Sequence, residues 1–335
     1  MERIQEILTT IDNWLWGNWL LFVLLAVGIL YTVISGGVQV RHFKYIIKKT
    51  LIHPIRYGDK DTNSEGSVSS FQALNMAIAS CVGSGNIVGV ATAVLAGGLG
   101  AIFWMWIIAF FGMATIYAEA VLAQETRVVE PDGTVLGGPV YYIKRAFPNG
   151  FGKFLAGFFA VAIILALGFM GSMVQSNSIG EACQNAFHIP SWVMGLIVSA
   201  IAAFIFIGGV RRIASFAEKM VPLMAVVYIL GSLTIIFSNY DMILPAFKEI
   251  IVGAFDPSAA TGGIIGASLK EAIRYGVARG LFSNEAGMGS TPHAHALANV
   301  AEPHDQGCVA MIGVFIDTFV VLTLNSLVII STMYT

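Results

Sequence analysis

The sequence predicts an all-α polytopic membrane protein with about eight transmembrane helices, and three observations support this fold class. First, the 335 residues are 56% hydrophobic and only 11% charged, with a mean hydropathy of +0.78. Soluble domains carry about 25% charged residues. Second, long apolar runs recur along the whole chain. Third, glycines and small polar residues interrupt two of these runs near their middle. We therefore expect a bundle of membrane-spanning helices, two of which are broken.

Apolar runs of about 18 to 25 residues are long enough to cross the hydrocarbon core as helices. We number the predicted segments 1 to 8 in chain order. They lie near 14–36, 68–96, 100–123, 153–176, 190–209, 213–237, 260–290 and 307–333. Segment 7 is the least apolar, because Lys270, Glu271, Arg274 and Arg279 fall within it.

The distribution of basic residues predicts the orientation of the chain. Six Lys and Arg residues lie in the connection 41–60, four lie in 124–153, and a third basic cluster lies where segments 5 and 6 meet. The connections 97–99 and 177–189 contain no Lys or Arg. Because cytoplasmic loops are enriched in basic residues, we expect a multi-pass protein of the plasma membrane with its N-terminus outside.

The two interruptions are the most informative features of the chain. Segment 2 reads ASCVGSGN at 79–86, and segment 7 reads GLFSNEAGMGST at 280–291. Lipid cannot hydrogen-bond a freed backbone, so such breaks persist only where they line a polar cavity. Paired discontinuous helices in corresponding halves of a chain indicate the binding site of a transporter.

The interrupted segments run in opposite directions and stand five segments apart, which predicts a five-plus-five inverted repeat. We expect a single transmembrane domain over 1–335, with an extra helix at 14–36, a first repeat at 68–237 and a partial second repeat at 260–333. Symmetry predicts about three further helices beyond segment 8. The second repeat is therefore expected to be truncated.

Four stretches resemble one family of transporters. They read VGSGNI at 82–87, GGLGAIFWMW at 97–106 with Phe111 and Gly112 beyond, GMGSTPHAHA at 287–296, and GVFIDT at 313–318. In order and content they resemble the alanine or glycine:cation symporter family. The resemblance implies a leucine-transporter type of fold and sodium-driven symport of small neutral amino acids, not an enzyme. Members continue through about three more helices, so an inactive or partial fragment is the alternative.

A substrate carboxylate near the bilayer midplane needs several hydrogen-bond donors. Unwinding segment 2 frees backbone N–H groups and exposes a helix N-terminus, which both favour an anion. The predicted donors are Gly83, Ser84, Gly85 and Asn86, assisted by Gly287 and Gly289. The alternative is close helix packing, because Gly85 and Gly89 form a small-xxx-small pair.

The substrate ammonium requires carbonyl oxygens or an acid, and these lie where the first half of segment 7 ends. Phe282, Ser283 and Glu285 occupy this position. An acid between two half-helices is costly unless it has a cation or donor partner. Glu285 could contact the ammonium, a coupling ion or Arg279.

Sodium prefers oxygen ligands, which unwound helices provide as carbonyl groups. The resemblance implies that the carbonyls of Ala79 and Val82 bind the ion shared across the fold, with further ligands from a ninth helix. A second ion could use the Cys81 carbonyl, Asn86 and Ser283.

Segment 8 contains an acid and a hydroxyl that we expect to contribute to a cation site. Asp317 and Thr318 lie well inside this segment. An intramembrane Asp is a functional hypothesis by default. Hydrogen bonding within the helix bundle is the alternative.

A small substrate requires a tight apolar wall, for which Phe169, Phe282 and Met288 are candidates. Discrimination by shape is worth about 1 to 3 kcal/mol per methylene. This predicts a preference for alanine and glycine over larger residues. Packing or lipid contact is the alternative for Phe169.

A cluster of histidines and acids follows segment 7 and raises a third hypothesis, a metal-dependent membrane enzyme. Its members are His293, His295, Glu302, His304 and Asp305. Their spacing matches no zinc pattern. We therefore favour a cytoplasmic helix end, and we expect no cofactor or metal other than sodium and no nucleic-acid partner.

Overall fold

A computed structural model of the chain describes residues 2–48, 50, 68–256 and 268–333, and these are mostly helical. The all-α prediction is therefore confirmed. Part of the basic connection 41–60 and the start of segment 7 lie outside the described residues.

Fifteen helices are described within these ranges. In chain order they are α1 (Glu2–Trp14), α2 (Leu20–Ile34), α3 (Val38–Arg41), α4 (Phe43–Ile47), α5 (Ser70–Cys81), α6 (Gly85–Gly97), α7 (Gly100–Thr126), α8 (Pro139–Ala146), α9 (Gly150–Phe187), α10 (Ser191–Ile207), α11 (Gly209–Ser238), α12 (Ile243–Phe255), α13 (Leu269–Asn284), α14 (Pro292–Ala296) and α15 (Pro303–Met333). Two short strands, β1 (Val128–Val129) and β2 (Val135–Leu136), pair antiparallel between α7 and α8.

Several helices contain wider π-helical turns. One such turn, Leu15–Trp19, joins α1 to α2. Three others are Gly85–Gly89 in α6, Ile164–Gly171 in α9 and Phe315–Leu322 in α15. Such turns are rare in proteins, and those that occur frequently lie at functional sites. The turns in α6 and α15 contain Asn86 and Asp317, which the sequence predicts as site residues.

Among the described residues, four helices are long and apolar enough to cross a membrane, namely α7, α9, α11 and α15. The bent pair formed by α5 and α6 makes a fifth candidate span, and α2 and α10 are apolar but shorter. A multi-pass membrane protein is thus supported, while the count of eight stays a prediction.

The structure adds elements to connections where the sequence predicts no helix. The longest is α12, which packs against α7 so closely that Gly100 has no room for a side chain beside Gly253. Its 13 residues are too few to span the bilayer and include Lys248 and Glu249, so a search for long apolar runs overlooks it.

The long helix α7 lies at the centre of the packing. On one face it contacts α13 through Gly276 and Gly280, where added side chains would collide with Ala101 and Ile108. Elsewhere it packs with α5 and α15 in a buried apolar cluster and with α6 and α12 in another. Because α7 contacts both interrupted regions and α15, it holds them beside one another.

Candidate ion and substrate site

The first interruption comprises residues 82–84, between α5 and α6. The axes of these two helices differ by 50°. Val82 is extended, and the backbone N–H of Gly83 donates to the Asn86 side-chain oxygen at 3.0 Å instead of to a helical carbonyl. The predicted break in segment 2 is therefore present.

The second interruption comprises residues 285–291, between α13 and α14. Three of its residues are left-handed, with φ of +55° at Glu285, +90° at Gly287 and +75° at Gly289. Glycine adopts such angles without a steric penalty, whereas a residue with a side chain, such as Glu285, incurs one. The chain then enters α14, which has only five residues. Segment 7 is thus interrupted as predicted, but its first half already ends at Asn284.

The helix ends that flank the two interruptions lie against each other. The Asn86 side-chain amide donates to the Ser283 hydroxyl at 2.9 Å. The Cys81 thiol donates to the Asn284 carbonyl at 3.5 Å, and a Cβ atom added to Gly85 would be 3.7 Å from the Phe282 ring. Residues about two hundred positions apart in sequence therefore form one site.

A buried carboxylate lies at the centre of this site, and we call its surroundings the Asp317 cluster (Asn86, Ser283, Asp317 and Thr318). Asn86 donates to Asp317 Oδ1 at 2.8 Å, while Ser283 and Thr318 donate to Oδ2 at 3.0 Å and 2.9 Å. All four residues are at most 1% exposed. None of the hydrogen bonds described at Asp317 comes from Lys, Arg or His.

The chemistry of the Asp317 cluster favours a small hard cation. A buried carboxylate is costly unless a positive charge compensates it. The cluster offers the two oxygens of Asp317 and the hydroxyl oxygens of Ser283 and Thr318, and oxygen is the ligand that hard cations prefer. Cys81 of α5 is buried and contacts Asn284, the residue after Ser283.

The other two predicted ion ligands lie outside the Asp317 cluster. Ala79 is exposed on the last turn of α5, and Val82 is partly buried in the first interruption. Their carbonyls as ligands of an ion stay a prediction.

Glu285 does not pair with Arg279, so that interpretation is wrong. One carboxylate oxygen accepts from the Ser80 hydroxyl at 2.8 Å, and the other accepts from the Ser290 hydroxyl. Arg279 instead lines a cavity of about 180 Å³ together with Asp12. The reason is geometric, because side chains on one helix meet three or four positions apart, and Glu285 already leaves the helix.

Two polar residues that the sequence analysis missed contact the first interruption. The Ser84 backbone N–H donates to the Gln175 side-chain oxygen of α9 at 3.1 Å. The Asn325 amide of α15 donates to the Asn86 carbonyl at 2.7 Å. Asn325 follows Asp317 by about two helical turns, so the two share a face. Polar residues repeating on one face of an apolar helix could have identified Asn325.

The predicted apolar wall is only partly assembled. Phe282 packs over Gly85, but Phe169 is 62% exposed on α9. Phe169 lies six positions before Gln175, so the two side chains project from different faces of that helix. Met288 and Phe282 together line an apolar cavity of about 170 Å³ that also involves α2.

The predicted histidine cluster is dispersed. His295 is buried and lies 2.7 Å from the Gln306 amide, His304 lies 2.7 Å from the Tyr117 hydroxyl, and His293 stacks on Phe159. Burial lowers the pKa of His295 to about 4. The residues that the structure describes include no group of three or more His, Cys, Asp and Glu able to hold a metal ion. The enzyme hypothesis therefore has no metal site there.

Two interrupted helices that meet at a buried carboxylate, within a bundle of apolar helices, are typical of secondary transporters. The sodium:alanine symporter family matches residues 1–335, and the chain belongs to this family. This family membership confirms the resemblance seen in the sequence, and sodium is the coupling ion that the family name implies.

Similar proteins are transporters rather than enzymes. The chain is 43% identical to the sodium/alanine symporter AgcS of Methanococcus maripaludis, over 96% of this chain and 70% of that protein. It is 44% identical to an uncharacterized transporter of Haemophilus influenzae, over 98% and 70%. It is also 40% identical to a probable sodium/glutamine symporter, GlnT of Bacillus subtilis, over 98% and 66%.

Proposed function

We propose that this chain carries a small neutral amino acid, alanine or glycine, together with Na⁺ across the plasma membrane by alternating access. The main support for this proposal is the Asp317 cluster, in which residues beside both interruptions meet α15 around one buried carboxylate. Because a rearrangement of either interrupted helix would alter this cluster, ion binding and helix movement are coupled.

Sodium fits the Asp317 cluster as a co-transported substrate. Asp317 would supply the negative charge, and Ser283 and Thr318 would supply neutral oxygens. The Asn86 amide, held by its bonds to Ser283 and Asp317, keeps the first interruption against the ion. Asn325 donates to the Asn86 carbonyl and thereby steadies its backbone.

The first interruption suits a carboxylate. The Ser84 N–H already binds a side-chain oxygen of Gln175, so this donor points to a position that an oxygen acceptor can occupy. We propose that the substrate carboxylate takes the place of that oxygen, with Gly83, Gly85 and Asn86 alongside and the amide of Gln175 as a further donor. Gly287 and Gly289 stay candidate donors from the second interruption.

The ammonium group would lie toward the carbonyls at the end of α13, near Phe282 and Ser283. The Phe282 ring lies in van der Waals distance of a Cβ placed on Gly85, so the space beside the first interruption is narrow. Narrow space favours alanine and glycine over glutamine by about 1 to 3 kcal/mol per extra methylene.

Uptake of labelled alanine into proteoliposomes tests the proposal. An inward Na⁺ gradient should raise uptake, and an equal K⁺ gradient should not. Excess unlabelled glycine should compete, and glutamine should compete weakly. Uptake that is independent of the gradient would refute coupling, and strong competition by glutamine would refute the proposed selectivity.

Equilibrium binding of alanine to the purified chain separates the site from the complete transport cycle, because binding requires only an intact site. Binding that depends on Na⁺ without uptake would support the site and favour the partial-fragment alternative. We further propose that the N-terminus lies outside, as predicted, and that one domain over 1–335 contains the repeats 68–237 and 260–333. To test the orientation, cysteines are introduced near each end of α7 and labelled with a membrane-impermeant reagent, which should reach the two ends from opposite sides of the membrane.

A further inference from the structure

One acid beside the second interruption plays no part in the site described above. Glu119 is partly buried on α7, seven residues after Gly112. Seven residues are about two helical turns, so the two residues share a face of α7. Gly112 packs against Ala286, at 3.1 Å between that methyl and a Cβ placed on the glycine. Glu119 therefore lies beside the next part of the same turn.

The Glu119 carboxylate accepts a hydrogen bond from the Gly287 backbone N–H at 3.1 Å. Gly287 has φ of +90°, and the backbone–backbone hydrogen bonds described for the turn include none from its N–H. Gly287 is exposed, and a turn N–H with no backbone carbonyl as partner needs another acceptor. A carboxylate is a strong one. Glu119 therefore stabilises this conformation of the second interruption.

The bond has a fixed support on each side. The α7 backbone is locked against α13 by Gly276 and Gly280, which leave no room for side chains between the helices. Only two residues separate Asn284, at the end of α13, from Gly287. Once both are fixed, the direction of the intervening Glu285 side chain is also fixed.

Glu285 then reaches the first interrupted helix, where Ser80 of α5 donates to its carboxylate at 2.8 Å. A continuous set of contacts thus runs from α7 through Glu119, Gly287 and Glu285 to Ser80. We propose that Glu119 is a positioning residue that holds the second interruption on α7 so that Glu285 can bind α5.

A native cysteine reports on this arrangement without any transport. Cys81 follows Ser80, is 7% exposed, and donates to the carbonyl of Asn284. Its alkylation by N-ethylmaleimide, measured by peptide mass spectrometry with Cys183 as the internal reference, should increase when the interruptions separate. The importance of Glu119 for transport rests on the proposed function, but this assay uses purified protein without substrate or gradient, so the two can fail independently.

Two variants of Glu119 distinguish the effect of side-chain length from the effect of charge. Glu119→Gln keeps the length and an acceptor oxygen, so labelling of Cys81 should stay within about twofold of the wild type. Glu119→Asp keeps the charge but withdraws the acceptor, so labelling should rise about tenfold. Equal labelling in both variants, or the reverse order, would overturn the proposal.

A double-mutant cycle tests whether Glu119 acts through Glu285. Ser80→Ala removes the last contact of the set and should itself increase Cys81 labelling. In that background Glu119→Asp should add little, because the contact it supports is already lost. Full additivity of the two effects would show that Glu119 acts independently of Ser80 and would refute the positioning role.

Hydrogen exchange of the wild-type chain provides a measurement that needs no variant to fold. The Gly287 amide should exchange at least about tenfold more slowly than an unbonded turn amide, since it must break its bond to Glu119 first. Exchange of Gly287 at the unprotected rate would contradict the proposal.

Discussion

The first interruption is a bend, whereas the second is a stop. At residues 82–84 the helix pauses and resumes in α6 at an angle of 50°. At residues 285–291 three left-handed residues end α13, and only the short α14 follows. The first is held by amide side chains, namely Asn86, Gln175 and Asn325. The second is held by the carboxylates of Glu119 and Glu285, besides a local bond from the Ala286 N–H to the Asn284 side-chain oxygen.

This difference suggests a division of roles. Neutral amide oxygens occupy the backbone donors of the first interruption, and an anion can displace them, which suits the substrate carboxylate. Carboxylates pin the second interruption to α7 and α5, which suits a part that supports the ion site. The Asp317 cluster lies where the two regions meet, so a change there should affect both.

The largest effect is expected from Asp317→Asn. The substitution keeps the shape of the side chain but removes the charge that would compensate Na⁺. Loss of one partner of a buried ion pair costs about 3 to 5 kcal/mol, so the Na⁺ concentration for half-maximal alanine binding should rise at least about 100-fold. Asp132→Asn, in the exposed turn between β1 and β2, is the matched control. Unchanged Na⁺ dependence in Asp317→Asn would place the ion elsewhere.

Acid should loosen the segment after the second interruption more than the first. His295 is buried in α14, and its pKa falls to about 4 in the folded chain from about 6.5 when unfolded. Folding therefore favours the neutral form of His295. Its contribution to the free energy of unfolding is complete above about pH 6.5 and is lost as pH falls toward 4. The loss reaches about 3 kcal/mol.

Hydrogen exchange at pH 7 and pH 5 can locate this effect. Peptides around α14 should lose protection at pH 5, and peptides around residues 82–84 should change less. His295→Gln, which cannot gain a proton, should reduce the pH dependence. Equal loss at both interruptions, or no change in the variant, would contradict the assignment to His295.

A side chain at Gly83 should affect the first interruption alone. A Cβ there would lie 2.7 Å from the Gln175 amide nitrogen, so Gly83→Val must displace Gln175 and obstruct the backbone donors. We expect alanine binding to weaken at least about tenfold, with unchanged membrane insertion. Gly157→Val, on a face of α9 with no atoms within 4 Å, is the control. Wild-type affinity in Gly83→Val would move the substrate site.

The smallest effect is expected at Ser84. Its described contact with Gln175 is made by the backbone N–H and not by the hydroxyl group. Ser84→Ala keeps the N–H, so alanine affinity should change less than about twofold, within the free energy of one weak hydrogen bond. A complete loss of binding would instead implicate the hydroxyl group.

The sequence predicts the local breaks because their causes are local. Glycine at 287 and 289 permits a left-handed backbone that other residues avoid. Burying a polar residue in an apolar segment costs free energy, so such residues usually have a partner or a function. Asn86, Ser283 and Asp317 stand out for the second reason, and the structure brings all three together. Whether they bind Na⁺ stays a prediction.

Contacts between distant helices depend on how each helix is rotated and packed, which composition does not reveal. Gln175 and Glu119 each acquire their role from a backbone N–H in one of the two interruptions. Phe169 is exposed on a different face of α9 from Gln175, and Glu285 bonds to Ser80 and Ser290 after the chain turns away from α13.

The sequence by itself determined that this chain is a membrane-embedded helical protein with two interrupted helices and an acid buried in a third, because desolvation and backbone conformation are properties of each residue and its neighbours. Only the tertiary structure decided which interrupted ends meet, which side chains satisfy them, and that α7 supports the second interruption. Those outcomes follow from close packing at small residues such as Gly112, Gly276 and Gly280, whose partners lie far away in sequence.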